Sequence, residues 1–216
     1  MIIHITVNLT ECQEKRKMSE NLTEPKIILL VGMMGVGKTS LGRILAKHLK
    51  LPFMDSDKEI EKITGFTISD LFARYGEAEF RKGEERIMER LLKGKPCVLS
   101  SGGGAFLSEK TREVAKKYAV SVWIKAGSDV ISKRTQGRTH RPLVPAADNK
   151  KAIERLVSEC YPLYEKADVM VESFQEHPYK TVNRLLALLE EKGIVKNAYP
   201  ISKPCKKYHK RGNIKK

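Results

Sequence analysis

Lys26-Ile-Ile-Leu-Leu-Val31-Gly32-Met-Met-Gly35-Val-Gly37-Lys38-Thr39 is the stretch on which the rest of the chain can be hung. Its first half is an unbroken apolar run. A strand with one wet face would alternate, so this one is expected to be buried on both faces of a parallel sheet. Its second half, Gly32 to Thr39, matches G-x-x-x-x-G-K-[ST]. Glycines there permit the dihedrals that turn successive N–H groups inward into an anion nest. A helix is predicted from about Lys38 to Leu49, with Leu41, Leu45 and Leu49 along one face. Its positive N-terminus points at the same anion. Lys38 is placed for the β- and γ-phosphates of a nucleoside triphosphate, and the Thr39 hydroxyl for Mg²⁺.

Working outward, Phe53-Met-Asp55 reads as a short second strand that ends in acid. Thr67 and Asp70 resemble a capping box. The helix they open carries Ile68, Leu71, Phe72 and Tyr75 at i, i+3, i+4 and i+7. A further helix is predicted from about Ala78 to Leu92, burying Phe80, Ile87 and Leu91. Cys97 to Ser100 is a strand that runs into Gly102-Gly103-Gly104. Helix 108–118, strand Val120 to Ile124, a helix near 128–135, helix 150–160, strand Val169 to Glu172 and a helix near 178–192 complete the pattern. Strands alternate with helices, which specifies an α/β fold with a parallel sheet. There is no internal repeat.

The 216 residues suit one domain with, at most, a small inserted lobe. The boundaries read as a flexible extension at 1–25, a phosphate-loop domain at 26–193 and a basic tail at 194–216. The net charge is +15. Of this, +7 falls within Asn197 to Lys216, which holds seven Lys or Arg residues and no acid. We read that segment as a solvated tail rather than a nucleic-acid arm. Cys12, Cys97, Cys160 and Cys205 are scattered, which fits a reducing cytoplasm and neither a zinc site nor a disulfide framework. No apolar run reaches membrane-spanning length. The N-terminal MIIHITVNL has no basic segment before it and no cleavage site after it, so it is not read as a targeting signal.

A phosphate loop does not by itself separate a kinase from a switch or a motor. Asp55-Ser-Asp57 closes the second strand at the sheet edge where ligands bind in such folds. Alternation along the strand turns both carboxylates the same way, one for metal and one to accept a substrate proton. Two helix-capping acids would read equally well. Arg81 follows Phe80 on a helix, where Glu84 and Glu85 offer ordinary surface pairing. Three successive glycines after a buried strand suit a backbone that must come close to a ligand. Arg138-Thr-His-Arg141-Pro-Leu143 lies in a long polar loop with the profile of a lid, although a plain solvated loop reads the same way.

Taken in order, these segments closely resemble the shikimate kinases. The likeness is carried by GMMGVGKTSLGR, LPFMDSDKEIE, GEAEFRKGE, SSGGG, HRPL and PLYEKADV, from about Lys26 to Glu191. It implies a P-loop, three-layer αβα fold with a central five-stranded parallel sheet of the nucleoside-monophosphate-kinase type. A small substrate-binding helical region would lie at about 57–93 and a lid at about 135–149. It also implies transfer of phosphate from ATP to the 3-hydroxyl of shikimate, with Mg²⁺; we expect a cytoplasmic monomer. Mapped by position, Gly35, Val36, Gly37, Lys38, Thr39 and Ser40 would cradle ATP. Thr39 and Asp55 would manage the metal. Asp57 would hold and deprotonate the acceptor hydroxyl, and Arg81 would pair with its carboxylate. Gly102, Gly103 and Gly104 would supply backbone contacts. Arg134 would stack near adenine, and Arg141 would reach the phosphates from the lid.

One position departs from the family. Its members usually carry a second carboxylate-binding arginine two residues before the PLY motif, and here that residue is Cys160. Arg155 or Lys166 could compensate. The departure leaves two alternatives open beside shikimate: another acceptor such as gluconate, or a non-catalytic relative with an impaired acceptor site.

Overall fold

The computed structural model describes residues 23–24, 26–135 and 149–201. Five parallel strands form one sheet in the order β2-β3-β1-β4-β5: β1 (Ile27–Val31), β2 (Phe53–Asp55), β3 (Val98–Ser100), β4 (Ala119–Lys125) and β5 (Val169–Glu172). All five residues of β1 are buried. It is the central strand, in register with β3 through Ile28 opposite Val98 and with β4 through Ile27 opposite Ala119. Its two neighbours and the helical layers together account for the unbroken apolar run.

The helices are α1 (Lys38–Leu49), α2 (Ser56–Thr64), α3 (Ile68–Leu92), α4 (Glu109–Tyr118), α5 (Ser128–Thr135), α6 (Asn149–Tyr164) and α7 (Pro178–Glu191). A 3₁₀ turn spans Ala105–Leu107. α1 and α7 pack together and onto the sheet; α3 packs on α4, which lies on β4. The result is a three-layer αβα sandwich. α1 buries Leu41, Leu45 and Leu49 as its periodicity requires.

The stretch after β2 departs from the sequence reading. The strand ends at Asp55, and Ser56 already begins α2, so Asp57 lies in the first turn of a helix. Strand alternation therefore does not relate Asp55 to Asp57. Helix α2 gave little warning, because it is short and of its apolar residues Ile60 is buried while Ile63 is 47% exposed. The predicted pair of helices at 68–75 and 78–92 is one run broken at Gly76, which has φ 75° and ψ 169°. Tyr75 does not join the buried face; it is 57% exposed, one residue before the break. Thr67 and Asp70 do form a reciprocal capping box. Helix α6 runs on through Pro162 to Tyr164, past its expected end.

Packing continues beyond Gly193. Val195 is buried, and the Asn183 amide exchanges two hydrogen bonds with the backbone of Ile201. Among the described residues no helix is long and apolar enough to cross a membrane.

Candidate active site

The turn between β1 and α1 is built on left-handed glycines: Gly32 at φ 133°, Gly35 at φ 78° and Gly37 at φ 101°. Side chains rarely adopt these angles. Lys38 is 9% exposed, and its Nζ donates to the carbonyls of Gly32 at 2.7 Å and Met33 at 3.0 Å. The ammonium is thus folded over the mouth of the loop. Thr39 Oγ1 donates to Asp55 Oδ2 at 2.9 Å, joining the first turn of α1 to the end of β2. No acid stands in that first turn, so the helix N-terminus keeps its positive potential.

A cavity of about 350 Å³ opens over this turn. Gly35 to Leu41 form its floor. Asp55, Asp57, Ser100, Ser101 and Gly103 line one end, and Arg134, Ser173, Glu176, Pro178 and Thr181 the other.

At the first end the three glycines meet the acids and the arginine. A Cβ on Gly102 would lie 2.6 Å from Asp57 Oδ1 and 2.7 Å from Glu84 Oε1. One on Gly104 would lie 2.4 Å from the Arg81 guanidinium carbon. Arg81 Nη1 donates to Glu84 Oε2 at 2.6 Å, while Nε and Nη2 donate to Glu77 Oε1 at 3.3 and 3.1 Å. Burial works against the Arg81 cation, but Glu84 and then Glu77 outweigh it and hold the guanidinium above its usual range. Glu84 is 3% exposed. Burial pushes its carboxyl up; Arg81 opposes this, and the neighbouring charges of Asp57 and Glu85 add to it. In the sequence Glu84 reads only as a surface partner, since spacing along a helix does not reveal which face the sheet covers.

Two further residues were not foreseen. Ser56, fully buried, accepts the Gly102 N–H at 2.8 Å. Tyr164 donates its hydroxyl to the Gly103 carbonyl from inside a cage that includes Trp123 and Phe106. Burial pushes the Tyr164 phenol well up, so it stays a donor.

Cys160 stands one turn before Tyr164 and is 8% exposed. Burial and the nearby Glu159 push its thiol up against the pull of Arg81, so it is a neutral thiol, not a reactive thiolate. The Arg81 charge is near enough to act on the thiol. Of the two suggested substitutes for a second arginine, Arg155 is 81% exposed and tied to Glu159 at 2.8 Å, and Lys166 is exposed in the turn after α6.

At the far end Arg134 Nη1 donates to the Val36 carbonyl and to Ser173 Oγ, both at 3.0 Å, and Nη2 donates to the Phe174 carbonyl. Burial lowers its pKa, and Glu176 opposes that. The guanidinium is thus pinned between the phosphate loop and the end of β5. Arg141, and the lid apart from its end residues, lie outside the described residues. No group of three or more His, Cys, Asp or Glu among the described residues is spaced to hold a metal. A hydroxyl and one carboxylate, Thr39 and Asp55, suit Mg²⁺, which keeps several waters and takes other ligands from phosphates.

The family model described as "Shikimate kinase" matches residues 34–190. The chain belongs to the shikimate kinase family. A shikimate kinase of Paramagnetospirillum magneticum is 50% identical over 161 residues, covering 74% of this chain and 83% of that one. One from Bradyrhizobium diazoefficiens is 51% identical over 146 residues, covering 68% and 70%. Among solved structures, shikimate kinase from Acinetobacter baumannii in complex with shikimate superposes with a TM-score of 0.76 at 34% identity, covering 83% of this chain and 98% of that one. The Aquifex aeolicus shikimate kinase gives 0.69 at 32% identity, covering 78% and 98%. Shikimate kinase activity follows, an ATP-using phosphotransfer in aromatic amino-acid biosynthesis. It resolves the acceptor left open above in favour of shikimate over gluconate.

Proposed function

We propose that the two ends of the cavity divide the reaction between nucleotide and acceptor. The triphosphate of ATP lies on the N–H groups of Gly35 to Ser40, against Lys38 and the N-terminus of α1. Its base extends toward Arg134. Shikimate occupies the other end, its carboxylate on Arg81 and its 3-hydroxyl against Asp57. The backbone of Gly102 to Gly104 approaches its ring. Thr39 and Asp55 hold Mg²⁺, which when bound neutralises charge on the phosphates.

The observation that carries this reading is convergence. Asp57 and Gly103 line one end of a cavity floored by the phosphate loop, and Arg81, from a third segment, lies against the neighbouring Gly104. Asp57 orients the alcohol and takes its proton as the O–P bond forms. Lys38, and Arg141 from the lid, offset charge on the transferring group. Alignment of the hydroxyl with the terminal phosphorus supplies most of the rate, because phosphoryl transfer asks little covalent chemistry of the protein.

The test is coupled ADP release with ATP, Mg²⁺ and shikimate, beside the same mixture lacking shikimate. Asp57→Asn should leave ATP affinity nearly unchanged and lower kcat by about 10²-fold or more. Equal loss of ATP binding and turnover would move Asp57 from chemistry to structure.

A further inference from the structure

Arg81 offers five N–H donors, and a carboxylate grips such a group best by two parallel bonds along one edge. In this structure the Nε–Nη2 edge is already filled: both atoms donate to Glu77 Oε1, at 3.3 and 3.1 Å. Glu84 takes Nη1 from another direction at 2.6 Å. The two acids are not equivalent. Glu84 is 3% exposed, and without Arg81 it would be a buried carboxylate that has lost its cation. Glu77 is 56% exposed. It is also the first residue after the Gly76 break, so it opens the second helical segment. Its side chain has water to turn into.

We propose that Glu77 sets the affinity for the acceptor: it is an internal carboxylate that occupies Arg81 and is displaced by the acceptor's own carboxylate. The inference rests on the reading that Arg81 binds the carboxylate of shikimate. The displacement has two consequences. The KM for shikimate includes the cost of breaking the Glu77 pair. An acceptor with the same ring and hydroxyls but a neutral ester cannot compete for the fork, so it gains nothing from Arg81. Glu77 thereby lowers the affinity for a carboxylate-bearing acceptor and leaves that for a neutral one unchanged.

The full chain is tested by steady-state kinetics of Glu77→Gln, with shikimate and with its methyl ester as acceptors. Exposed pairs of this kind are weak, so the expected fall in KM for shikimate is about two- to fivefold. The kcat and the KM for ATP should hold, and the KM for the ester should not improve in parallel. Arg81→Met serves as the second variant. If it leaves the shikimate KM unchanged, Arg81 is not the carboxylate anchor, and the proposed acceptor site falls together with this inference. If Arg81→Met raises that KM while Glu77→Gln leaves it unchanged or raises it, the acceptor site stands. Glu77 is then merely a helix staple, and the inference is overturned. A fall in kcat for Glu77→Gln would also overturn it, since Glu77 would then be holding Arg81 in place rather than competing for it.

Discussion

Replacing Cys160 with arginine should tighten the grip on shikimate. The position lies on α6, one turn before Tyr164, and is near enough to Arg81 for the guanidinium to influence its thiol. A cysteine offers an acceptor carboxylate a weak donor at most. An arginine would add a charge-assisted hydrogen bond, worth about 1.5–3 kcal/mol. That corresponds to a fall in KM of roughly 10- to 150-fold at 1.4 kcal/mol per decade. The free enzyme would bear a cost, because position 160 is 8% exposed and a longer cationic side chain must fit beside Arg81. An overpacked site loses about 1–3 kcal/mol, so Tm should fall even as affinity rises. The assay is a shikimate titration at saturating ATP, with a thermal melt of each protein with and without shikimate. The expected signature is a lower KM for shikimate, an unchanged KM for ATP and a larger upward shift of Tm on adding shikimate. If the variant folds and its KM for shikimate moves by less than about twofold against that tenfold minimum, then Cys160 does not face the acceptor's carboxylate.

Other substitutions probe separate parts of the argument. In Gly102→Ala the new Cβ would sit 2.6 Å from Asp57 Oδ1 and 2.7 Å from Glu84 Oε1. Both carboxylates must shift, so kcat should fall steeply, with little change in KM for ATP in the same kinetic series. In Gly42→Ala the Cβ would meet Phe53 at 2.6 Å and Leu30 at 2.9 Å. The overpacking cost of about 1–3 kcal/mol outweighs the roughly 1 kcal/mol gain in helix propensity, and denaturant unfolding should show a net loss of stability. Glu84 ionises at higher pH in the fold than its ordinary 4.5. The folded state therefore keeps a proton that the unfolded chain has released, and this contribution is complete below 4.5 and is lost as pH rises through the raised value. The stability of the native protein relative to Glu84→Gln should decline across that window and then level off; a difference that rises with pH would reverse the sign of the Glu84 shift.

The phosphate loop and its flanking elements were legible because every signal lies within a few residues. An apolar run, glycines at fixed offsets and a helical period occupy one continuous segment. The acceptor end was legible only as a set of residue types. Asp57, Arg81 and the glycines could be named, but not the helix that carries Asp57, because α2 buries too few apolar residues to declare a period. Nor could burial at Glu84 be read, since i+3 pairing looks the same on a wet face and a dry one.

The three glycines show where the missing information lay. From sequence they suggested one property, close approach to a ligand, repeated three times. In the fold each answers to a different neighbour. Gly102 yields to Asp57 and Glu84, and Gly104 to the Arg81 guanidinium. A Cβ on Gly103 would meet only the Met34 nitrogen, at an ordinary 3.6 Å, so space among protein atoms does not require glycine there. What it would enter is the cavity that Gly103 lines. Two of the glycines thus admit the side chains that make the site, and the middle one keeps open the room in which shikimate is proposed to bind. Tyr164 fixes that middle carbonyl from α6, the helix that also carries Cys160. The departure at Cys160 and the anchoring of the glycine turn therefore act through the same helix.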